Sequence, residues 1–365
     1  MKTKIRTLLI GDAMIRGSEF EKAVRKFLPG YVAVPLIGDW ELDWDNLQKR
    51  RLEVEKNGPE IEEVDSIIKE YGKDVEMLMG LFVPISKKSM DLMPSLRIIG
   101  VARAGLENVN VEEATKRGIL VFNIRGRNAE AVSDFAVGLI LAESRNIARA
   151  HHAIKNGQWR KVFSNSGWIP ELKDKTVGII GFGFIGRLVA KKLSGFDVRR
   201  LVHDPYVTPE TIKSEGCIPV DKETLLKESD FITLHGRLTE SSKNLIGAGE
   251  LKLVKPSAYV INTARAGLID EKALVDALKS GKIAGAALDV FGQEPIPGGS
   301  ELLTLDNVTL TSHLAGTTRE ALTRSPELLA EDIGKFFLNQ GPRFIVNPQV
   351  LEENAFKKWL EEKRF

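Results

Sequence analysis

The sequence predicts an α/β protein with two parallel-sheet segments following one another along 365 residues. Three observations predict it. Short apolar runs alternate with helical patterns over most of the chain, the order that gives parallel strands covered by helices. The runs in the second half have the count and spacing of a doubly wound sheet. The length itself, at roughly 100–200 residues per domain, suggests two domains, each able to bury its own core.

The first segment holds strand candidates at Ile5–Ile10, Tyr31–Pro35, Val75–Phe82, Leu96–Val101 and Ile119–Phe122, with helices such as Phe20–Leu28 and Val111–Lys116 between them. Residues Asp39–Lys73 are charge-rich, poor in Gly and Pro, and read as surface helices inserted between two strands. One long helix is expected from Ala129 to about Asn156. Its apolar residues spread over most of the circumference through Phe135–Leu141, so this part should be buried on more than one side. A linker with Gly157, Ser164, Ser166, Gly167 and Pro170 comes next. The second segment has strand candidates at Thr176–Ile180, Arg199–His203, Phe231–His235, Ala258–Ile261, Gly285–Asp289 and Val308–Ser312, separated by helices such as Gly186–Leu193 and Glu271–Ser280. Glu320–Leu338 is again helical, and a charged tail ends the chain.

Composition narrows the partners. Lys and Arg number 52 against 50 Asp and Glu, a net charge of +2 that argues against a nucleic-acid binder. No apolar run approaches the roughly 20 residues that span a bilayer, so no membrane partner is expected. The basic N-terminus has too short an apolar segment for a signal and reads as a first strand. Cys217 is the only cysteine, which excludes an intrachain disulfide and a Cys-based zinc site. A cytoplasmic protein without structural metal is the expectation.

The strongest motif is Gly181-Phe-Gly183-Phe184-Ile185-Gly186, because it comes directly after a β-rich run and opens a helix. Gly181 would permit the tight turn, Gly183 would let the backbone approach a pyrophosphate, and Gly186 would allow close packing of helix on strand. The helix N-terminus supplies free N–H groups and the positive end of its dipole. Asp204 ends the next strand, where a carboxylate accepts hydrogen bonds from both ribose hydroxyls and repels a 2′-phosphate. That favours NAD over NADP. Arg199 and Arg200 stand at the opposite end of the strand and cannot reverse the choice.

Five histidines can be weighed one by one. His151 and His152 lie on the polar end of a helix and read as solvated, and His203 reads as packing. His235 and His313 close the third and sixth strands of the second segment, the end at which open α/β sheets bind ligands. Arg265 comes after the fourth strand and Glu294 after the fifth, so these polar groups emerge at one edge. Reduction of a 2-oxo acid needs a proton donor for the ketone oxygen and a cation for the carboxylate. An imidazole suits the first task, a neighbouring carboxylate would orient it and favour its protonated form, and a guanidinium suits the second.

These stretches, with Leu234-His235, Asn262–Asp270, Ala287–Pro295 and Leu310–Thr318, resemble the D-isomer-specific 2-hydroxyacid dehydrogenases. The resemblance implies a Rossmann NAD-binding domain inserted in a flavodoxin-like substrate domain, with a cleft between them. The substrate domain would comprise 1–124 and 319–365, and the NAD domain 125–318, with the helix 129–156 serving a two-fold homodimer. Arg265 would bind substrate carboxylate and carbonyl, His313 would be the acid/base, and Glu294 would pair with it. NAD would meet Phe184, Ile185, Asp204, Gly236, Thr263, Ala264 and Asp289, the last near the nicotinamide amide. The implied substrate is a small 2-hydroxy or 2-oxo acid, including phosphorylated or sugar-derived acids such as 3-phosphoglycerate. A dinucleotide-sensing, corepressor-like binding protein is the alternative, disfavoured by the complete Arg265, Glu294 and His313 set. With 52 residues after His313, feedback through the extra serine-sensing domain of longer phosphoglycerate dehydrogenases is not expected.

Arginines mark the departures. The substrate loop of the family corresponds to Arg103-Ala104-Gly105, where Arg103 replaces a small residue, and Arg237 stands where a Pro is usual. Arg125 and Arg127 occupy positions that often hold Pro and a small residue. Arg103 and Arg237 either recognise a second anionic part of the substrate, or pair with local carboxylates such as Glu107, or contact the cofactor pyrophosphate.

Overall fold

The computed structural model describes residues 3–167 and 169–364. The chain divides into two compact units, Met1–Arg127 with Thr318–Phe365, and Asn128–Thr317. Among the described residues, the strands form one five-stranded and one seven-stranded sheet, both parallel throughout. No helix among them is long and apolar enough to cross a membrane.

In the first unit the strands are β1 (Thr7–Gly11), β2 (Leu36–Asp39), β3 (Met77–Gly80), β4 (Ile98–Val101) and β5 (Leu120–Asn123), in the flavodoxin-like order β2-β1-β3-β4-β5. Every residue of β1, β3, β4 and β5 is buried, as a parallel sheet covered on both faces requires. Only the edge strand β2 is exposed. It lies beyond the expected Tyr31–Pro35, because Pro35 has no N–H for a ladder and Val32 makes a single bridge to Ile5. The helices Gly17–Phe27 and Arg319–Phe337 pack together, and Gly334 permits it: a Cβ there would lie 2.9 Å from the Phe27 carbonyl oxygen. The charge-rich stretch after β2 folds as the helices Trp44–Asn57 and Ser66–Tyr71. The expected charged tail is instead a helix, Asn354–Lys363, that buries Phe356, Trp359 and Leu360. Its Trp359 Nε1 donates to Glu76 at 2.9 Å, and Lys363 pairs with the same carboxylate at 2.9 Å. The apolar i, i+3, i+4 spacing of those three residues is the sequence signal for this helix.

The second unit contains β6 (Thr176–Ile180), β7 (Arg199–His203), β8 (Ile218–Pro219), β9 (Phe231–Leu234), β10 (Tyr259–Asn262), β11 (Gly285–Leu288) and β12 (Val308–Leu310). Their order is β12-β11-β10-β9-β6-β7-β8, the doubly wound arrangement, with its switch point between β6 and β9. The two-residue edge strand β8 is not expected from the sequence. The registers set Ile180 opposite both His203 and Leu234, Asn262 opposite both Leu234 and Leu288, and Leu288 opposite Leu310. Six strands therefore stop in line at one edge.

The single helix expected over 129–156 is two, Ala129–Ser144 and Ile147–Lys155. Asn146 breaks it with a left-handed φ of 58°, a conformation that Asn tolerates better than other non-glycine residues. The break is held from both sides. Arg149 Nε donates to Asn146 Oδ1 at 2.8 Å, and Arg149 also pairs at 2.9 Å with Glu143, whose side chain is fully buried. Glu143 also accepts from Thr309 of β12 at 2.6 Å, so one carboxylate ties the helix to the sheet. Burial pushes its carboxyl up, opposed by these two partners. Truncation of Glu143 to Ala would leave Arg149 buried without a counter-charge and should cost about 3–5 kcal/mol. Urea unfolding measures this, and the double substitution Glu143→Met, Arg149→Met should recover most of the loss.

Candidate active site

The aligned strand ends of the seven-stranded sheet bring the polar residues of the second unit together. After β6, Gly181 adopts a φ of 92° and a Cβ there would lie 2.5 Å from the Gly236 nitrogen, so only glycine fits. A Cβ on Gly186 would meet the Gly181 carbonyl oxygen at 2.1 Å, which is the close helix-on-strand packing the motif requires. Gly183 and Gly236 instead face open space. No side chain caps the helix Phe184–Leu193, so its first N–H groups remain available to an anion. Phe184 is half exposed at that terminus and Ile185 half-buried.

After β7, Asp204 accepts from the N–H groups of Phe182 at 2.6 Å and Tyr206 at 2.8 Å, which points its carboxylate at the glycine-rich turn. Arg199 pairs with Glu228 at 2.6 Å and Arg200 donates to the Gly216 and Ala190 carbonyls, so neither turns toward that end. After β9, His235 shares a 2.9 Å hydrogen bond with Thr233, and its Nδ1 is buried without a partner. Burial pushes its pKa down to about 3, so the ring is neutral. Arg237 is exposed, and no ion pair among the described residues involves it.

After β10, the buried side chain of Asn262 clamps the next turn, donating to the Arg265 carbonyl at 2.9 Å and accepting from the Ala264 N–H at 3.0 Å. Thr263 Oγ1 is buried without a partner. The Arg265 side chain is exposed and donates to its neighbouring Ala264 carbonyl at 2.7 Å. After β11, Glu294 Oε2 lies 2.7 Å from His313 Nδ1, while Oε1 accepts from the Phe291 N–H at 3.0 Å. Desolvation raises the Glu294 pKa, but hydrogen bonds from His313 and Phe291 and the charge of Arg265 outweigh it and hold the carboxyl below its ordinary range. A carboxylate thus fixes His313 Nδ1, and among the described residues Nε2 has no hydrogen-bond partner, the arrangement of a general acid–base.

His313 has a φ of 56°, a strained conformation for a side chain of this kind. Asp289 sustains it. Its fully buried carboxylate accepts from Thr311 Oγ1 at 2.6 Å and from the N–H groups of Leu314 and Ala315 at 2.9 Å each. Asp289, which the resemblance places near the nicotinamide amide, thus also braces the His313 loop.

Comparison with known proteins agrees with this geometry. Residues 137–315 match the family model described as D-isomer specific 2-hydroxyacid dehydrogenase, NAD binding domain. A glyoxylate reductase from Thermococcus litoralis is 41% identical over 292 residues, covering 78% of this chain and 87% of the relative. The chain belongs to the D-isomer-specific 2-hydroxyacid dehydrogenase family. A D-3-phosphoglycerate dehydrogenase from Archaeoglobus fulgidus is 38% identical over 315 residues, which is 86% of this chain but 58% of that longer protein. A crystal structure of a protein from Pyrococcus horikoshii aligns with a TM-score of 0.67 and 27% identity, over 97% of this chain and 99% of that one.

As a member of the 2-hydroxyacid dehydrogenase family the chain is an NAD-dependent enzyme interconverting 2-hydroxy and 2-oxo acids. The residues present fit the cofactor: an open Gly183, an uncapped helix N-terminus and a carboxylate at the end of β7. In the first unit, the loop that resembles the family's substrate loop is tied to β5, because Asn123 Nδ2 donates to the Ala104 carbonyl at 2.7 Å. A Cβ on Gly105 would meet Glu107 Oε2 at 2.3 Å. Arg103 pairs with Glu55 at 2.7 Å and Glu107 at 3.2 Å. Asn262 and Thr311 have no role that the sequence alone assigns, although a polar residue closing an apolar strand is a signal that could have found Asn262.

The neutral His235 sets a pH dependence. Its folded pKa lies below the ordinary 6.5, so between 6.5 and about 3 the unfolded chain binds a proton that the folded chain does not. Stability therefore falls as pH falls through this window. The contribution amounts to about 2 kcal/mol between pH 7 and pH 5. Urea unfolding at the two pH values should show His235→Gln losing less stability than the parent by that amount.

Proposed function

We propose that the chain reduces small 2-oxo acids, glyoxylate being the minimal one, through Arg265, Glu294 and His313. The hydrogen bond between Glu294 and His313 Nδ1 at 2.7 Å is the observation that carries this reading. The Arg265 guanidinium holds the substrate carboxylate and polarises the carbonyl through parallel hydrogen bonds. His313 Nε2 delivers a proton to the carbonyl oxygen, and Glu294 stabilises the imidazolium before transfer and orients the ring. NADH, when bound, supplies the hydride that adds to the carbonyl carbon. Asp289 and Asn262 act as positioning residues for the His313 loop and the Arg265 turn. Gly181, Gly183, Phe184, Ile185, Gly186 and Asp204 hold the adenosine and pyrophosphate, with Gly236, Arg237, Thr263 and Ala264 along the rest of the cofactor.

The relatives support glyoxylate as the minimal substrate, since the glyoxylate reductase is matched over most of its length. NADH oxidation monitored at 340 nm with glyoxylate and hydroxypyruvate tests the reading. His313→Asn should lower kcat by roughly 10²–10⁴-fold while NADH still binds, read by its fluorescence. Glu294→Gln keeps the hydrogen bond and removes the charge that stabilises the imidazolium, so kcat should fall. Loss of NADH binding in His313→Asn, with unchanged kcat in Glu294→Gln, would refute the assignment.

The enzyme is proposed to work in the cytoplasm as a two-fold homodimer. Helix Ile147–Lys155 and the chain after it expose Ile147, Ile154, Val162 and Trp159, the last at 80%. Light scattering should give twice the 40.4 kDa chain mass, and Trp159→Asp should shift the population toward monomer.

A further inference from the structure

The loop after β9 crosses the cofactor edge of the second unit and carries an uncompensated cation. Gly236 lies against the glycine-rich turn, since a Cβ on Gly181 would stand 2.5 Å from its nitrogen. Leu238 lies against the turn that bears Arg265, since a Cβ on Gly267 would stand 2.9 Å from its Cδ2. Arg237 is therefore held between the dinucleotide turn and the catalytic one. The loop is fixed there. Ser242 Oγ donates to the Arg237 carbonyl at 2.6 Å, and the Asn244 N–H donates to the Gly267 carbonyl at 2.8 Å.

Arg237 is exposed, and neither Glu240 nor any other described carboxylate pairs with it. The neighbouring cations are committed elsewhere. Arg187, on the helix that the glycine-rich turn opens, pairs with Glu215, and its Nε donates to the Phe182 carbonyl at 3.1 Å. Arg199 and Arg200 are engaged at the other end of β7. Leu234 stands opposite Asn262, and Arg237 and Arg265 follow these two residues at the same offset. Two guanidinium groups without ion pairs thus leave adjacent strands at matching positions. Like charges on neighbouring loops call for two anions: Arg265 takes the substrate carboxylate, and the cofactor brings the other.

We propose that Arg237 pairs with the pyrophosphate of the bound dinucleotide and supplies the full positive charge that the glycine-rich turn lacks. The proposal rests on the cofactor assignment of the second unit. The uncapped helix N-terminus offers the phosphates N–H dipoles, while Asp204 beside it is itself an anion. The turn alone therefore leaves a doubly charged group short of a counter-ion. A guanidinium fork meets two phosphate oxygens in one plane and stays charged at every working pH. A Cβ on Gly236 would meet nothing within 4 Å, so the approach beside Arg237 is open.

ADP-ribose, which has the pyrophosphate, and adenosine, which lacks it, test this on the full chain by displacing NADH, read by its fluorescence. Arg237→Met should weaken ADP-ribose roughly tenfold and leave adenosine unchanged. Added salt should weaken ADP-ribose binding more steeply in the parent than in that variant, because the variant has lost an exposed, screenable ion pair. Arg237→Lys, which keeps the charge without the fork, should fall between the two. Unchanged ADP-ribose affinity in Arg237→Met overturns the proposal, and so does an equal loss for adenosine. If that affinity holds while KM for glyoxylate rises, the guanidinium serves the substrate and the proposal falls. A parent that binds neither NADH nor ADP-ribose overturns the cofactor assignment as well. A parent that reduces no 2-oxo acid, yet loses ADP-ribose and not adenosine on substitution, upholds this proposal and overturns the reductase reading alone.

Discussion

The site depends on one constraint: parallel strands of the seven-stranded sheet stop in register at a single edge. Ile180, His203, Leu234, Asn262, Leu288 and Leu310 form one line of partners, so the loops that leave neighbouring strands must emerge side by side. Arg265, Glu294 and His313 are far apart in sequence and are brought together by this alignment alone. The switch point between β6 and β9 then opens the edge where Gly181 and Gly236 meet. Side-chain clamps do the finer work. Asn262 sets the turn that bears Arg265, and Asp289 holds the left-handed backbone of His313.

Charge is distributed in the same economical way. Twelve of the 22 guanidinium groups carry an ion pair among the described residues. Arg265 and Arg237 in one unit, and Arg127 in the other, lack carboxylate partners among the described residues. Glu294 is the reverse case, a carboxylate kept ionised by an imidazole and an arginine in spite of desolvation. His235 differs again, a ring held neutral by burial at the switch point, suited to packing and hydrogen bonding rather than proton transfer.

Much of this was legible in the chain. The glycine spacing and the acid after the second strand announced the cofactor turn, since each glycine answers a steric demand that no other residue meets. The strand candidates of the second segment coincide with β6, β7 and β9 to β12, and β6, β9, β10 and β11 among them are buried throughout. Misreadings arose where several forces compete. Tyr31–Pro35 is apolar enough for a strand but Pro35 cannot join a ladder. The run from Ala129 to Asn156 has helical periodicity throughout, yet the pull of buried Glu143 on Arg149 and the left-handed turn at Asn146 divide it. The final residues look merely charged until Phe356, Trp359 and Leu360 are seen on one helical face.

By itself the sequence determined the class of fold, the family, the dinucleotide turn and the candidates for proton transfer and carboxylate binding, because these depend on local spacing and residue chemistry. Tertiary structure decided which charged groups are satisfied and which remain open. Arg103 and Arg127 look alike in the sequence, but Glu55, carried in on a helix some fifty residues upstream, compensates the first and leaves the second without a counter-charge. Asp289 could not be read as the support of His313 until β11 and β12 were set side by side. The physical reason is common to both: pairing between charges depends on distance in space, which the parallel register creates between residues that the chain keeps far apart.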